Sequence, residues 1–165
     1  MLLLICRVGA SQDIPDPEFA GRPYFLKDNG LVSFERTDGS QEAKTSMKGM
    51  DTYYAAMGDK SDTRFPSGTP PKIIIKVDNG VDPAEMFSIV RGEQGKAKRS
   101  FLLRKYDRKM RALDVGNVLI KASYKKIRDS VYEIVFDTTL TAGEYALIPS
   151  TESNLKIKMS CFGVD

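Results

Sequence analysis

The stretch that decides the fold class is residues 72–77, which read Lys-Ile-Ile-Ile-Lys-Val. Consecutive β-branched residues favour an extended backbone, because their side chains are stiff and pack well on a pleated sheet. Pro71 precedes the run and Asp-Asn-Gly follows it at residues 78–80, so it has the length of a single strand. The run does not alternate with polar residues, which predicts a central strand buried on both faces.

Upstream of this strand, a β-hairpin is predicted. Two short apolar runs, residues 24–27 and 31–36, are separated by Asp28-Asn29-Gly30. Asn-Gly between such runs is a strong short-range hairpin signal, because both residue types accept positive φ. We therefore expect two paired strands near Asn29 and Gly30.

The residues before the hairpin are predicted to form an extended arm. Residues 13–23 contain three prolines, each of which fixes φ and lacks a backbone donor. Such a stretch does not enter the middle of a sheet. We expect Ile14 and Phe19 to pack this arm on the core.

One short helix is predicted after the central strand, near residues 82–90. Asp82 is an N-cap residue type, Pro83 suits the first helical position, and Glu85 stands where a capping box places an acid. The helix is expected to end at about Val90.

The remaining sequence is dominated by short strands and turns. Residues 58–71 are rich in Gly, Pro, Ser and Asp and are expected to form a loop. Many short strands with almost no helical periodicity predict a mainly β fold, either a β-sandwich or a squat barrel of mostly antiparallel strands. Periodicity does not determine strand order, so both architectures stay open. Further strands are predicted at residues 99–106, 110–115, 117–121, 131–137, 144–149 and 155–162.

The length and the first residues suggest one exported domain. A chain of 165 residues fits a single core, so residues 13–165 are predicted to be one β-rich domain. Residues 1–9 form an apolar run followed by small residues, which is typical of the end of a secretory signal peptide. Residues 1–12 are thus predicted to be a signal-peptide remnant or disordered leader, and the protein to be periplasmic, outer-membrane associated or secreted. The alternative is a buried first strand. The run is too short to span a membrane.

The composition argues against several kinds of active site. The chain has no histidine, the commonest general base and metal ligand. Its two cysteines, Cys6 and Cys161, cannot form a four-cysteine zinc site, although they can form a disulfide if Cys6 survives processing. No nucleophile elbow or other catalytic motif is visible. We therefore predict no catalytic residues, no metal and no cofactor.

Positive charge is concentrated in one segment. The formal charge of the chain is only +3, but residues 96–128 hold twelve basic and two acidic residues, or +10. The other residues hold 13 basic and 20 acidic residues, or −7. This asymmetry is the one sequence feature that suggests a binding surface.

The candidate ligand-binding residues lie at the start of that basic segment. They are expected on two strands and the turn near Asp107, where period-two geometry places some of them on one sheet face. A clustered positive potential attracts phosphate, sulfate or carboxylate groups, so the expected partner is an anionic polymer, a lipid headgroup or an acidic protein. The alternative is a solvated face made basic for solubility, or an edge strand protected by charge. The candidates are Lys98, Arg99, Arg104, Lys105, Arg108, Lys109 and Arg111.

Short motifs near both ends support the expectation of export. Residues 14–19 read Ile-Pro-Asp-Pro-Glu-Phe, residues 143–147 read Gly-Glu-Tyr-Ala-Leu, and residues 162–165 read Phe-Gly-Val-Asp. With these motifs the chain resembles a family of small exported bacterial proteins of uncharacterised function. The resemblance covers about residues 13–165 and implies export and β structure. It brings no catalytic residues.

The sequence thus predicts a non-enzymatic, exported binding domain that recognises an anionic ligand through a basic strand face. Two alternatives remain. A structural subunit of a cell-envelope assembly predicts a contiguous apolar surface patch. A hydrolase without histidine requires a pocket with two or more carboxylates, or with a shielded serine and lysine.

Overall fold

The computed structural model of the chain describes residues 13–150 and 156–165. Its two helices in these ranges are single 3-10 turns, Pro83–Glu85 and Gly116–Val118, and neither is long or apolar enough to cross a membrane. The fold is mainly β, as predicted. The described strands, in chain order, are β1 (Pro23–Lys27), β2 (Gly30–Ser33), β3 (Glu35–Ser46), β4 (Gly49–Met57), β5 (Arg64–Phe65), β6 (Ile73–Lys76), β7 (Phe87–Gln94), β8 (Lys98–Asp107), β9 (Ala112–Leu113), β10 (Ala122–Arg128), β11 (Val131–Phe136), β12 (Gly143–Pro149) and β13 (Lys156–Val164).

Six strands close into an antiparallel barrel. They follow the order β12, β7, β8, β4, β3 and β13, and β13 pairs back with β12. Closure removes the exposed edges of a sheet. Closure is incomplete at the basic strand β8, which pairs with β4 along its length but with β7 only through two residue pairs next to their connecting turn.

The remaining long strands form a five-stranded sheet beside the barrel. Its order is β10, β11, β6, β1 and β2, so β6 lies in the middle. Ile73 and Ile75 face the core shared with the barrel, whereas Ile74 packs on the other side against Ile14. All three isoleucines are fully buried. This confirms the predicted central strand and the packing of the arm through Ile14.

The arm differs from the prediction at Phe19. Its side chain is 47% exposed, and the Arg22 guanidinium lies 4.7 Å from the centre of its ring. Phe19 thus makes a cation–π contact at the surface instead of packing on the core.

The hairpin is confirmed, with its turn at Asp28 and Asn29. Lys27 pairs with Gly30, so the loop contains two residues. Asp28 has φ +53°, a conformation that Asp and Asn tolerate better than most residues.

The predicted helix over residues 82–90 is wrong beyond its first turn. Asp82 does cap it, because its side chain accepts a hydrogen bond from the Ala84 N–H at 2.9 Å. The turn ends at Glu85, however, and β7 begins at Phe87. Phe87 and Ile89 enter the core between sheet and barrel, and the strand pairs with β12. Cross-strand pairing and burial therefore outweigh the local capping signal.

Strand β12 shows how the two parts of the fold share one wall. Tyr145 and Leu147 face the five-stranded sheet, whereas Ala146 and Ile148 face the barrel interior. Both faces are buried, so the strand has no polar alternation. The barrel thus has its own apolar interior, which is filled by side chains from β4, β7, β8, β12 and β13.

Candidate functional site

One end of the barrel is filled by charged side chains centred on Arg99. This residue is only 1% exposed, and its Nη2 lies 2.8 Å from Glu35 Oε1. Its Nη1 lies 3.7 Å from Glu144 Oε2, and Nη2 also donates to the Met57 carbonyl at 3.1 Å. A buried charge is tolerated when it is paired and hydrogen-bonded in this way.

Arg64 covers the same end from outside. Its Nη2 donates to Asp165 at 2.5 Å and its Nη1 to Glu144 at 2.7 Å, and these bonds raise the pKa of Arg64. Gly163 makes room for the guanidinium, because a Cβ at this position would lie 2.1 Å from Arg64 Nη1. We call this set of residues the ionic plug: Glu35, Ser61, Arg64, Arg99, Glu144 and Asp165.

The plug holds Glu35 in its ionised form. Burial alone would raise the pKa of this carboxyl, but four donors outweigh burial and lower the pKa to about 2. The donors are the Arg99 guanidinium, the Ser61 and Thr37 hydroxyls and the Asp62 N–H.

The lowered pKa of Glu35 predicts a loss of stability in acid. Because the folded-state pKa is lower than the ordinary 4.5, this stabilisation is present above about pH 4.5 and lost as the pH falls towards 2. We expect the free energy of unfolding to fall between pH 5 and pH 2, and to fall less steeply for Glu35→Gln. Urea denaturation across this range measures both slopes. Glu42→Gln, which removes an ion pair on the barrel exterior, is the control and should keep the wild-type slope. Equal slopes for Glu35→Gln and the wild type would contradict the role of Glu35.

The two glutamate carboxylates of the plug are occupied by structural bonds. Glu35 accepts bonds at both oxygens, and Glu144 accepts from Arg64 and from the Ser61 N–H at 2.8 Å. A general acid or base must be able to exchange a proton with a substrate in a cleft. This pair therefore acts as part of the packing of the barrel end.

Cys161 lies inside the barrel next to the plug. It is fully buried as a free thiol, and burial raises its pKa to about 12. A thiol with a raised pKa is a weak nucleophile. Cys6, the other cysteine of the disulfide that the sequence allows, lies outside the described residues.

The other end of the barrel opens into a cavity of about 400 Å³. The register of β4 with β8 separates the two ends, because Ala56 pairs with Arg99 at the plug and Met50 pairs with Tyr106 at the opening. The floor is apolar, since Tyr54 and Ile148 are buried there. The other side chains around the cavity include Gln41, Thr52, Ser88, Leu103, Arg104 and Met110.

The cavity opens where the barrel wall is split. Strands β7 and β8 pair only through Glu93 with Ser100 and Gln94 with Arg99, next to their connecting turn. Towards the cavity, β8 pairs with the short strand β9, whereas β7 makes a single bridge to Leu119. The chain between β9 and Leu119 thus replaces direct pairing of the two strands.

A β-bulge brings Arg104 to the wall of this cavity. Tyr53 pairs with Leu102 but Thr52 pairs with Arg104, so Leu103 is the extra residue. Such an extra residue shifts the alternation of side chains along a strand. Leu103 and Arg104 consequently both line the cavity although they are adjacent in sequence.

The structure separates the predicted site residues into two groups. Lys98 pairs with Glu42 at 2.6 Å, Arg99 belongs to the plug, and Arg111 pairs with Asp107 at 2.6 Å. The second group lies at the end of β8 and in the turn that follows it, and its members have no ion-pair partner among the described residues. This group consists of Arg104, Lys105, Arg108 and Lys109.

Arg104 is the member of this group that lies on the cavity wall. Burial raises the pKa of the Tyr54 phenol on the cavity floor, and the positive charge of Arg104 acts against this increase. Both residues line the cavity. Ligand binding by Arg104 and its basic neighbours stays a prediction.

Sequence reasoning missed most of the cavity. Gln41, Tyr54, Ser88 and Ile148 come from four different strands, and only closure of the barrel brings them together. The β preference of the Tyr53-Tyr54 pair was a signal for a strand, but not for a site.

The barrel thus has one plugged end and one open, basic end. No family model, curated protein or solved structure matches the chain. In the part of the chain that the structure describes, no group of three or more acidic or cysteine side chains is placed to hold a metal ion.

Proposed function

We propose that this domain binds an anionic ligand at the open end of its barrel, with Arg104 as the principal anion-binding residue. One observation carries the proposal. Arg104 lies on the wall of a cavity with an apolar floor, and no carboxylate of residues 13–150 or 156–165 forms an ion pair with it. Barrel mouths and apolar pockets with a few polar groups are common ligand sites.

The cavity suits a small ligand that has both an apolar part and a negative charge. Its volume of about 400 Å³ lies within the range of small-molecule sites. Tyr54, Leu103 and Ile148 offer an apolar surface, and the planar guanidinium of Arg104 suits carboxylate, sulfonate or phosphate oxygens. Thr52 adds a hydroxyl next to Arg104 on the paired strand.

The electrostatic field of the neighbouring cations supports the same proposal. Lys105, Arg108 and Lys109 follow Arg104 along β8 and its turn. Their clustered charge raises the local concentration of anions and the rate at which they bind. The proposal therefore keeps the basic strand face as the binding surface, with its centre at Arg104.

The proposed role is non-enzymatic binding, and export belongs to the same proposal. Binding is favoured because the buried carboxylates lie in the plug, at the end of the barrel remote from the cavity. The expected signal-peptide remnant falls within residues 1–12, which lie outside the described residues. Export therefore stays a prediction from the sequence.

Titration with 8-anilinonaphthalene-1-sulfonate tests the proposal, since this probe has an aromatic body and one negative charge. A hydrogen bond to a charged group contributes about 1.5–3 kcal/mol, so Arg104→Gln should weaken binding by roughly tenfold or more. Fluorescence measures the affinity, and a urea unfolding curve verifies that the variant is folded. Lys125→Gln is the matched control, because it removes the same charge from the edge strand β10 of the five-stranded sheet. Equal affinities for the two variants would contradict the proposal.

A further inference from the structure

Two hairpin ends beside the cavity form an exposed surface that is both apolar and basic. Met47, in the turn between β3 and β4, is 81% exposed, and Met110, in the turn between β8 and β9, is 59% exposed. Leu113 on β9 is 49% exposed. We call residues 44–51 and 105–114 the hairpin tip. It contains six basic and three acidic residues.

The two turns are held together as one surface. The Arg108 Nε donates to the Met47 carbonyl. Gly49 lies so close to β8 that a Cβ would be 1.8 Å from the Tyr106 carbonyl oxygen, and its φ of +147° also favours glycine. Asp107 accepts bonds from the N–H groups of Lys109 at 2.8 Å and Arg111 at 2.9 Å, which orders the second turn.

The acidic residues of the tip leave its charge positive. Asp107 accepts hydrogen bonds from the Arg111 backbone N–H, the Arg111 guanidinium and the Lys109 N–H, which together lower its pKa. Asp51 is placed between Lys44 on β3 and Lys105 on β8 by the strand register. Lys48, Arg108 and Lys109 remain around the two methionines without an ion-pair partner in the described chain.

We propose that the hairpin tip docks on an anionic phospholipid surface. Exposed apolar side chains surrounded by cations suit the boundary between headgroups and acyl chains, where the cations meet lipid phosphates. Methionine is flexible and apolar, and adapts to an irregular environment. A single-stranded nucleic acid would instead favour several exposed aromatic side chains, whereas the tip contains one aromatic residue, Tyr106, which is half-buried and lines the cavity.

The docked orientation would bring the barrel opening towards the lipid. Met50 and Met110 line both the cavity and the groove between the two hairpins. The two proposals share the cations Lys105, Arg108 and Lys109, but the inference goes beyond the proposed function because docking requires the exposed methionines of the tip, whereas ligand binding requires Arg104. Each can fail without the other.

Co-sedimentation of the full chain with vesicles tests the inference. We expect binding to phosphatidylcholine vesicles that contain about one third phosphatidylglycerol, with a decrease as salt screens the charges. Met47→Ser together with Met110→Ser, and Lys48→Glu together with Lys109→Glu, should each weaken binding by about tenfold or more. Met57→Ser is the control for loss of an exposed methionine, and Lys121→Glu together with Lys125→Glu is the charge-matched control, since both lysines are exposed away from the tip. Met57 is 76% exposed at the plugged end of β4.

Three results of the vesicle experiments would overturn the inference. They are the absence of binding to the anionic vesicles, equal binding to pure phosphatidylcholine, and equal effects of the tip variants and their controls. Tighter binding to a polyglutamate peptide or a single-stranded oligonucleotide than to the anionic vesicles would also overturn it. Arg104→Gln should keep vesicle binding within about threefold, because it removes one charge away from the turns. This variant separates a failure of the docking proposal from a failure of the ligand-binding proposal.

Discussion

Replacing Arg99 by methionine is expected to destabilise the protein by about 3–5 kcal/mol. The substitution keeps an unbranched side chain of similar length, but it leaves Glu35 and Glu144 without the cation between them. Removal of one partner from a buried ion pair costs far more than the loss of an exposed pair, because the remaining charge has little access to water. Urea denaturation at neutral pH measures the loss as a lower midpoint.

The adjacent residue provides the control for this prediction. Lys98→Met also removes a cation from β8, but Lys98 lies on the barrel exterior with its side chain 44% exposed. We expect a small change, because exposed ion pairs contribute little. Adding Glu35→Gln to the Arg99→Met variant should restore part of its stability, since Glu35 loses the cation that pairs with it, whereas Glu144 keeps its ion pair with Arg64. If Arg99→Met cost no more than Lys98→Met, the plug would not be a stabilising unit.

Replacing Phe162 by alanine is expected to cost about 3–5 kcal/mol. The ring is fully buried and stacks on Tyr145 at a centroid distance of 5.3 Å. It also contacts Phe34 at 5.6 Å and Phe65 at 5.8 Å. These rings belong to the core between the barrel and the five-stranded sheet, so the substitution leaves a cavity at their junction.

A single unfolding transition is expected for this variant, because the barrel and the sheet share one core. Denaturation followed in parallel by tyrosine fluorescence and far-ultraviolet circular dichroism tests this expectation. Phe19→Ala is the matched control and should cost less than about 1 kcal/mol, since that ring makes only a surface cation–π contact. Two separate transitions, or similar losses for Phe162 and Phe19, would contradict a shared core.

The elements that the sequence predicted correctly are those with local causes. The isoleucine run at residues 73–75 depends on rotamer preference, and the hairpin predicted near Asn29 and Gly30, whose turn lies one residue earlier, depends on positive φ at Asp28. Short segments carry both causes by themselves. The helix near residues 82–90 failed because Phe87 and Ile89 are held by pairing with β12, about sixty residues later. Closure of the barrel likewise depends on the pairing of β12 with β13, which no local sequence pattern predicts.

The site was predicted only as a concentration of charge. The excess of basic residues was visible, but nothing near Arg99 in sequence shows that it is buried against Glu35, 64 residues away. The bulge at Leu103 is equally invisible, because it arises from the pairing of β8 with β4. The burial of Arg99 and the bulge at Leu103 determine which cations lie at the open end, and both are consequences of tertiary structure.

The most direct test of an open, anion-binding barrel end is an NMR titration of ¹⁵N-labelled protein with 8-anilinonaphthalene-1-sulfonate. Our account predicts amide shift changes concentrated around the cavity, with little change at Glu35, Arg99 and Glu144 in the plug. Changes that cluster at the plug or on the five-stranded sheet, or that persist unaltered in Arg104→Gln, would contradict it. The residues expected to shift are Thr52, Tyr54, Leu103, Arg104 and Ile148.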